Sequence, residues 1–395
     1  MKILASILAL LGLASAVPAL AQAAPDPAFD AYKAGDYATA AAGFRQSCAT
    51  GNRIACYNLS IMAAKGQGMA KDQAAVADWT RKACDLSHAD ACLSLGTYYE
   101  NGNGVTKDLA GAIRAYATGC ALGNFTACAY RADMAYEARG MTRDYADAAG
   151  YYEKACNANK GSSCTRLGYM RENAMGGPKD LTLAVNLYQR GCNNGSAAGC
   201  RNLALFNEHG TALPKNLPQA LQLHQKACDL GFADSCSDAG YLYERGEGAT
   251  ADPAKAASLY ELACTKKSAA GCDNIGLLLS SGTGVTKDLT RALGIFEKNC
   301  WGGYGNSCIN LGVAYEKGWG TEVDNGRATA AYKNGCDLKS AKACAYAADM
   351  FANGWGVTKD TASALALYKR AQSLGIDDEA VKKSVANQIA KLGGK

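Results

Sequence analysis

The sequence predicts an all-α solenoid of 36-residue helix-pair repeats stapled by disulfides. Three observations predict it. The 18 cysteines form nine C-x7-C pairs, and each pair begins 36 residues after the one before. A fixed period of this length belongs to a stacked repeat array rather than to one globular core. In the fullest copy, residues 90–125, Cys92, Leu95, Gly96 and Tyr99 recur at i, i+3, i+4 and i+7, the stripe of one helix face. Turn and cap residues then recur at fixed offsets, so the break between helices repeats with the same period.

The first element is an address. Lys2 precedes an apolar run over residues 3–13, and small-residue sites follow at Ala19-Leu20-Ala21 and Ala21-Gln22-Ala23. Residues 1–21 read as a cleaved secretory signal, too short for a stable membrane anchor. Cleavage removes only Lys2 among the charges, taking the net charge from +5 to +4. The mature chain is therefore expected in the periplasm or released, where disulfides persist. No later segment is apolar for long enough to insert in a membrane. Lys and Arg (41) nearly balance Asp and Glu (36), so no nucleic-acid partner is expected.

Residues 22–53 are expected to form an N-terminal cap, a truncated opening helix over 26–34, and the first helix of the B type. Residues 54–377 then give nine copies. In each copy helix A ends at a glycine turn, Gly102-Asn103-Gly104-Val105 in the fullest one. The second glycine of that turn is replaced only at Ala212. Helix B opens at an Asp or Asn able to cap its free N–H groups: Asp36, Asp72, Asp108, Asp144, Asp180, Asn216, Asp252, Asp288, Asp324 and Asp360. Pro253 suits the first helical position. A small residue, an aromatic and a cysteine follow at four-residue steps, as in Ala112, Tyr116 and Cys120; small against large lets helices approach closely. Thr80 and His224 depart from the aromatic. Residues 378–395 form a polar closing cap with a helix over 378–391.

Two disulfide patterns suit antiparallel helices. Each cysteine ending a B helix joins the one eight residues later, or Cys56 joins Cys84 and so on along the chain. The ends of the array decide. Short pairing uses every cysteine, whereas long pairing strands Cys48 and Cys344; the copy lacking one short-pair member lacks both, with Gln372 and Ala380 in their places. The expected bridges are Cys48–Cys56, Cys84–Cys92, Cys120–Cys128, Cys156–Cys164, Cys192–Cys200, Cys228–Cys236, Cys264–Cys272, Cys300–Cys308 and Cys336–Cys344. Zinc is the rival reading of the thiols, but there is no CxxC and the chain has three histidines. No metal or other cofactor is expected.

Across residues 36–372 the copies follow A-C-x2-L-G-x2-Y-x2-G-x-G-V-x-K-D-x3-A-x3-Y-x2-A-C. This pattern resembles the Sel-1-like repeat, a relative of the tetratricopeptide repeat, and the paired cysteines are similar to those of the Helicobacter cysteine-rich proteins. Arg131, Ala239 and Ala347 depart from its Leu, and Thr321-Glu322-Val323 departs from its turn. The resemblance implies a right-handed α/α superhelix with a groove lined by helix A, and adaptor or scaffold roles built on protein binding. Some members of the cysteine-rich branch are described as β-lactam-binding or β-lactamase proteins, so the resemblance also implies a hydrolase alternative.

The residues give that alternative little support. S-x-x-K, K-T-G and S-D-N are all absent. His88, His209 and His224 stand at three different repeat positions, with His224 in the aromatic core slot. No catalytic residue is expected. Binding is the better reading, because the core leaves positions 90, 93, 97 and 100 of helix A, and their equivalents, for a groove. Those positions hold Glu100, Glu172, Glu208, Glu244 and Glu316, with Asp133, Asp273, Asp349, Arg201, Tyr57, Tyr136, Tyr169 and Tyr241. Carboxylates interleaved with tyrosines suit an extended peptide carrying basic and apolar side chains; the plain alternative is a solvated helix face. Trp319 and Trp355 occupy the turn one repeat apart and either anchor a partner or fold back. The basic row Lys71, Lys107, Arg143, Lys179, Lys215, Lys287 and Lys359 reads as a solvated edge, since capping Asp residues follow six of its seven members. The pattern specifies no oligomeric state.

Overall fold

A computed structural model describes residues 27–393, so the expected signal at 1–21 lies outside the described residues. Among these, all regular structure is helical. The chain divides into two compact units between Arg143 and Asp144. The first contains α1 (Pro27–Lys33), α2 (Tyr37–Ala49), α3 (Arg53–Lys65), α4 (Gln73–Asp85), α5 (Ala89–Asn101), α6 (Leu109–Ala121) and α7 (Phe125–Glu137). The second begins with α8 (Tyr145–Asn157), α9 (Gly161–Glu172), α10 (Leu181–Asn193), α11 (Ala197–His209), α12 (Leu217–Asp229), α13 (Ala233–Arg245) and α14 (Pro253–Thr265). It continues with α15 (Ala269–Ser281), α16 (Leu289–Trp301), α17 (Gly305–Lys317), α18 (Asn325–Asp337), α19 (Ala341–Asn353), α20 (Thr361–Leu374) and α21 (Glu379–Gly393). Odd-numbered helices from α3 to α19 are of the A type, and even-numbered helices from α2 to α20 are of the B type. Within each unit consecutive helices pack as antiparallel neighbours, giving an all-α repeat solenoid.

Local chemistry sets the helix ends. The Asp or Asn before every B helix accepts a backbone N–H of the first turn, for example Asp108 from Gly111 at 2.8 Å and Asn216 from Gln219 at 3.1 Å. Each cap contributes about 1 kcal/mol. Pro253 stands at the start of α14, as its fixed φ favours. The second glycine of the A–B turn is required twice over. At Gly284 φ is +70°, and a Cβ there would lie 2.2 Å from the carbonyl oxygen of Pro253, at the start of the preceding B helix. Ala212 takes the same left-handed conformation with φ of 58°.

The core is built from one repeated fit. The aromatic ring of helix B lies across a glycine of helix A: Tyr116 over Gly96, Tyr188 over Gly168, Tyr260 over Gly240 and Tyr332 over Gly312. These four rings are fully buried, as are Phe44 and Phe296. His224 fills the slot in its copy with no exposure. The nine expected short bridges are all present, each joining the end of a B helix to the start of the next A helix, and no cysteine is free. They close eight-residue separations and, on a chain-entropy basis, each contributes roughly 2–3 kcal/mol.

Candidate binding surface

The structure distributes the expected groove residues between internal contacts and an exposed row. Position 100 and its equivalents catch the tip of the buried aromatic. With the ring lying over a glycine, its hydroxyl arrives one helical turn further along helix A. Tyr116 donates to Glu100 at 2.8 Å, Tyr188 to Glu172 at 2.5 Å, Tyr260 to Glu244 at 2.7 Å and Tyr332 to Glu316 at 2.7 Å. Burial and the facing carboxylate push the Tyr188, Tyr260 and Tyr332 phenols well above their ordinary range, so they stay protonated and donate to the glutamates. Where the ring is Phe296, the glutamate is replaced by Ser280. Tyr368 reaches Asp349 instead, on the same helix A but one turn earlier. Burial pushes the Asp349 carboxyl up, against the lowering effect of that bond.

His224 belongs to the same scheme, as the donor or acceptor that replaces a tyrosine hydroxyl. Its Nε2 lies 3.0 Å from Glu208 Oε1, and its Nδ1 lies 3.5 Å from Ser235 Oγ and 3.6 Å from Asp238 Oδ2. Burial resists ionisation of Glu208, but the hydrogen bond and field of His224 outweigh it and hold the carboxyl below its ordinary value. Burial pushes Asp238 up despite His224 and Arg201. Its burial fits the core slot in which the sequence places it, while the convergence of two carboxylates on it is a correction to packing alone. The cause is lateral: Asp238 comes from the next copy, where the position is not aligned with His224 in sequence.

Three equivalents of position 93, Arg201, Ser237 and Asp273, form a second internal ladder, each meeting the residue 37 further on in the neighbouring helix A. Arg201 Nε donates to Asp238 at 3.2 Å, Asn274 to Ser237 at 3.2 Å, and Asn310 to Asp273 at 2.9 Å. Asp273 differs from its expected place on a free face in being buried, because Ser307 also donates to it at 2.6 Å. Burial pushes its carboxyl up, against these two donors. Tyr57 stacks on His88 with ring centroids 4.5 Å apart. At position 90, Asp90 accepts from Asn124 at 2.7 Å and Asp234 from Ser268 at 2.7 Å.

Position 97 and its equivalents differ along the chain. In the second unit Tyr169, Leu205, Tyr241, Leu277 and Val313 form an apolar row on five successive A helices, which ends at Asp349, the acceptor of the Tyr368 hydroxyl. Tyr169, Tyr241 and Leu277 are 41%, 49% and 38% exposed. Sequence reasoning named the two tyrosines and missed the aliphatic members; the signal was a constant apolar character at one position. Asp133 and Tyr136 are half-buried in the first unit. The tryptophans differ: Trp319 packs against the core, whereas Trp355 is half exposed. Among the described residues no group of three or more His, Cys, Asp or Glu is arranged to hold a metal ion, and no helix is long and apolar enough to cross a membrane.

Comparison with solved structures places this fold among known ones. A protective antigen of uropathogenic Escherichia coli with an SLR fold is similar over 92% of this chain and 81% of its own, at 23% identity and a TM-score of 0.76. A Sel1 repeat protein from Oxalobacter formigenes is similar over 78% of this chain and 89% of its own, at 20% identity and a TM-score of 0.60. Helicobacter pylori cysteine rich protein B is similar at 30% identity over 33% of this chain and 93% of its own, with a TM-score of 0.28. No curated protein matches the chain. The Sel1 repeat itself matches at residues 53–88, 89–124, 126–160, 161–196, 197–232, 233–268, 269–298, 305–332 and 341–375. Those nine matches span most of the sequence, and the chain belongs to the Sel1 repeat family.

Proposed function

We propose that this protein is an exported scaffold of the cell envelope that binds an extended protein segment or peptide on its A-helix face, without catalysis. Sel1 repeats generally serve protein interaction, and nine disulfides suit an extracellular or periplasmic setting. The observation that carries the reading is the apolar row Tyr169, Leu205, Tyr241, Leu277 and Val313, in which Tyr169, Tyr241 and Leu277 are exposed and Leu205 and Val313 half-buried, while the flanking positions are engaged internally. Glu172, Glu208, Glu244 and Glu316 stand three residues beyond members of this row, each a carboxylate with acceptor capacity beyond its tyrosine or histidine contact. Apolar side chains of a partner would rest on the row and its Lys or Arg side chains would reach the acids.

The test is selection from a library of unstructured peptides with mature, oxidised protein. Enrichment of sequences mixing basic and apolar residues, lost in a Tyr241→Glu/Leu277→Glu variant of unchanged helicity, is the expected result. Enrichment that survives the double substitution would remove this face from consideration. Export is tested separately by amino-terminal sequencing of protein recovered from the periplasm, with cleavage after Ala21 expected. Turnover of a chromogenic β-lactam by rigorously purified protein would overturn the non-catalytic reading.

A further inference from the structure

We infer a second, small-molecule site: the cleft between α14, α15 and α16 takes an organic anion with one acidic group and an apolar body. The cleft has a volume of about 520 Å3, in the range of ligand pockets. Its cause lies at position 299. Eight other copies hold Ala or Gly there: Ala83, Gly119, Ala155, Gly191, Ala227, Ala263, Gly335 and Ala371. The helices close tightly on that site, since even a Cβ on Gly335 would lie 2.7 Å from the Ala343 Cβ and 2.9 Å from the Cys308 Cβ. Asn299 props the interval open, donating to the Ala269 carbonyl at 2.8 Å and to Ser307 Oγ at 2.7 Å. Helix α16 accordingly buries only Ala292, Phe296 and Cys300. Cys264 and Cys272 are half exposed, whereas the cysteines of the other eight bridges are all buried.

The chemistry of the lining selects the ligand. Ile295 and the Cys264–Cys272 bridge give an apolar floor, and Lys267, Arg291 and Lys298 supply three cations. Arg291 is already neutralised by Glu261, both of whose oxygens lie 2.6 Å from its Nη2. Lys267 and Lys298 have no ion-pair partner among the described residues, and no carboxylate lines the cleft. Two unpaired ammonium groups beside a partly dry apolar floor favour a carboxylate or sulfonate attached to a ring system.

The experiment titrates mature, oxidised protein with dansylglycine, an apolar bicycle bearing one carboxylate, and with uncharged dansylamide, following fluorescence. Saturable binding of dansylglycine is expected, with dansylamide at least about tenfold weaker. Lys267→Ala/Lys298→Ala should reduce dansylglycine affinity by about tenfold. Asn299→Ala should close the cleft and abolish binding; it places in this copy the residue five others carry, and circular dichroism checks that it folds. Equal affinity for the two probes, binding unchanged in Asn299→Ala, or no saturable binding to the unaltered protein would each overturn the inference.

Discussion

Removing the hydroxyl of Tyr260 tests whether the ring-over-glycine, hydroxyl-to-glutamate contact holds each helix pair. In Tyr260→Phe the ring keeps its place over Gly240, so packing is unchanged and only the 2.7 Å bond to Glu244 is lost. A hydrogen bond to a charged acceptor contributes about 1.5–3 kcal/mol when the acceptor stays dry. Glu244 is exposed and regains water, so the expected loss lies near the lower figure, about 1–1.5 kcal/mol. The chain supplies its own reference, because Phe296 stands opposite Ser280 in the next copy. Tyr260→Phe/Glu244→Ser should therefore cost less than the two single changes together. A repeat array need not unfold in one step, so the readout is amide hydrogen exchange in α13 and α14 rather than a global melt. Opening should become about tenfold more frequent in Tyr260→Phe, with α19 and α20 unaffected. Unchanged exchange in α13 and α14, or strictly additive losses in the double variant, would refute the reasoning.

Other outcomes follow from the same geometry. Gly284→Ala should destabilise α14 to α16 by more than about 2 kcal/mol, since it adds strain at positive φ to a backbone clash. Gly150→Ala, whose Cβ meets nothing within 4 Å, should stabilise α8 by about 0.5–1 kcal/mol; amide exchange measures both. Limited reduction followed by alkylation and mass mapping should label Cys264 and Cys272 before any other pair, because theirs is the half-exposed bridge. Acid should weaken the copy around His224: the Glu208 carboxyl lies below its ordinary value in the folded protein, so its contribution is present above the unfolded-state value and is lost as pH falls through the folded one. Replacing His224 with Phe removes the groups that lower Glu208 most, so the acid-linked loss should shrink while stability at neutral pH falls by about 1–2 kcal/mol. Urea unfolding at pH 3 to 7 checks both parts.

What was legible in the sequence was whatever acts locally or repeats. Caps such as Asp108, turns such as Gly102 to Gly104, and the Cys120 to Cys128 spacing each depend on residues within one turn or one connection, and the 36-residue period aligns them. The acids at this position were harder, because Glu100 finds its partner 16 residues on, across a turn, at a distance helical periodicity does not reveal. The clue was present as a co-occurrence: glutamate accompanies Tyr116, Tyr188, Tyr260, Tyr332 and His224, and serine accompanies Phe296. The ladder from Arg201 to Asp238 was hidden for a different reason, since it joins adjacent columns of the aligned repeat rather than the same one. Asn299 was visible as a large polar residue in a column that otherwise holds alanines, glycines and Ser47, but its consequence depends on how closely three helices approach there.

The placement of the bridges also dictates how this chain bears tension. They clamp each B-to-A junction and leave every A–turn–B hairpin without a covalent tie, for example the roughly 28 residues from Cys92 to Cys120. Pulled from its two ends, the oxidised molecule would pay out slack one hairpin at a time, each releasing at most about 95 Å of contour. The junctions would survive as hard knots along the strand. When tension falls, every hairpin would refold between two fixed points, so a segment held at both ends would behave as a reversible shock absorber.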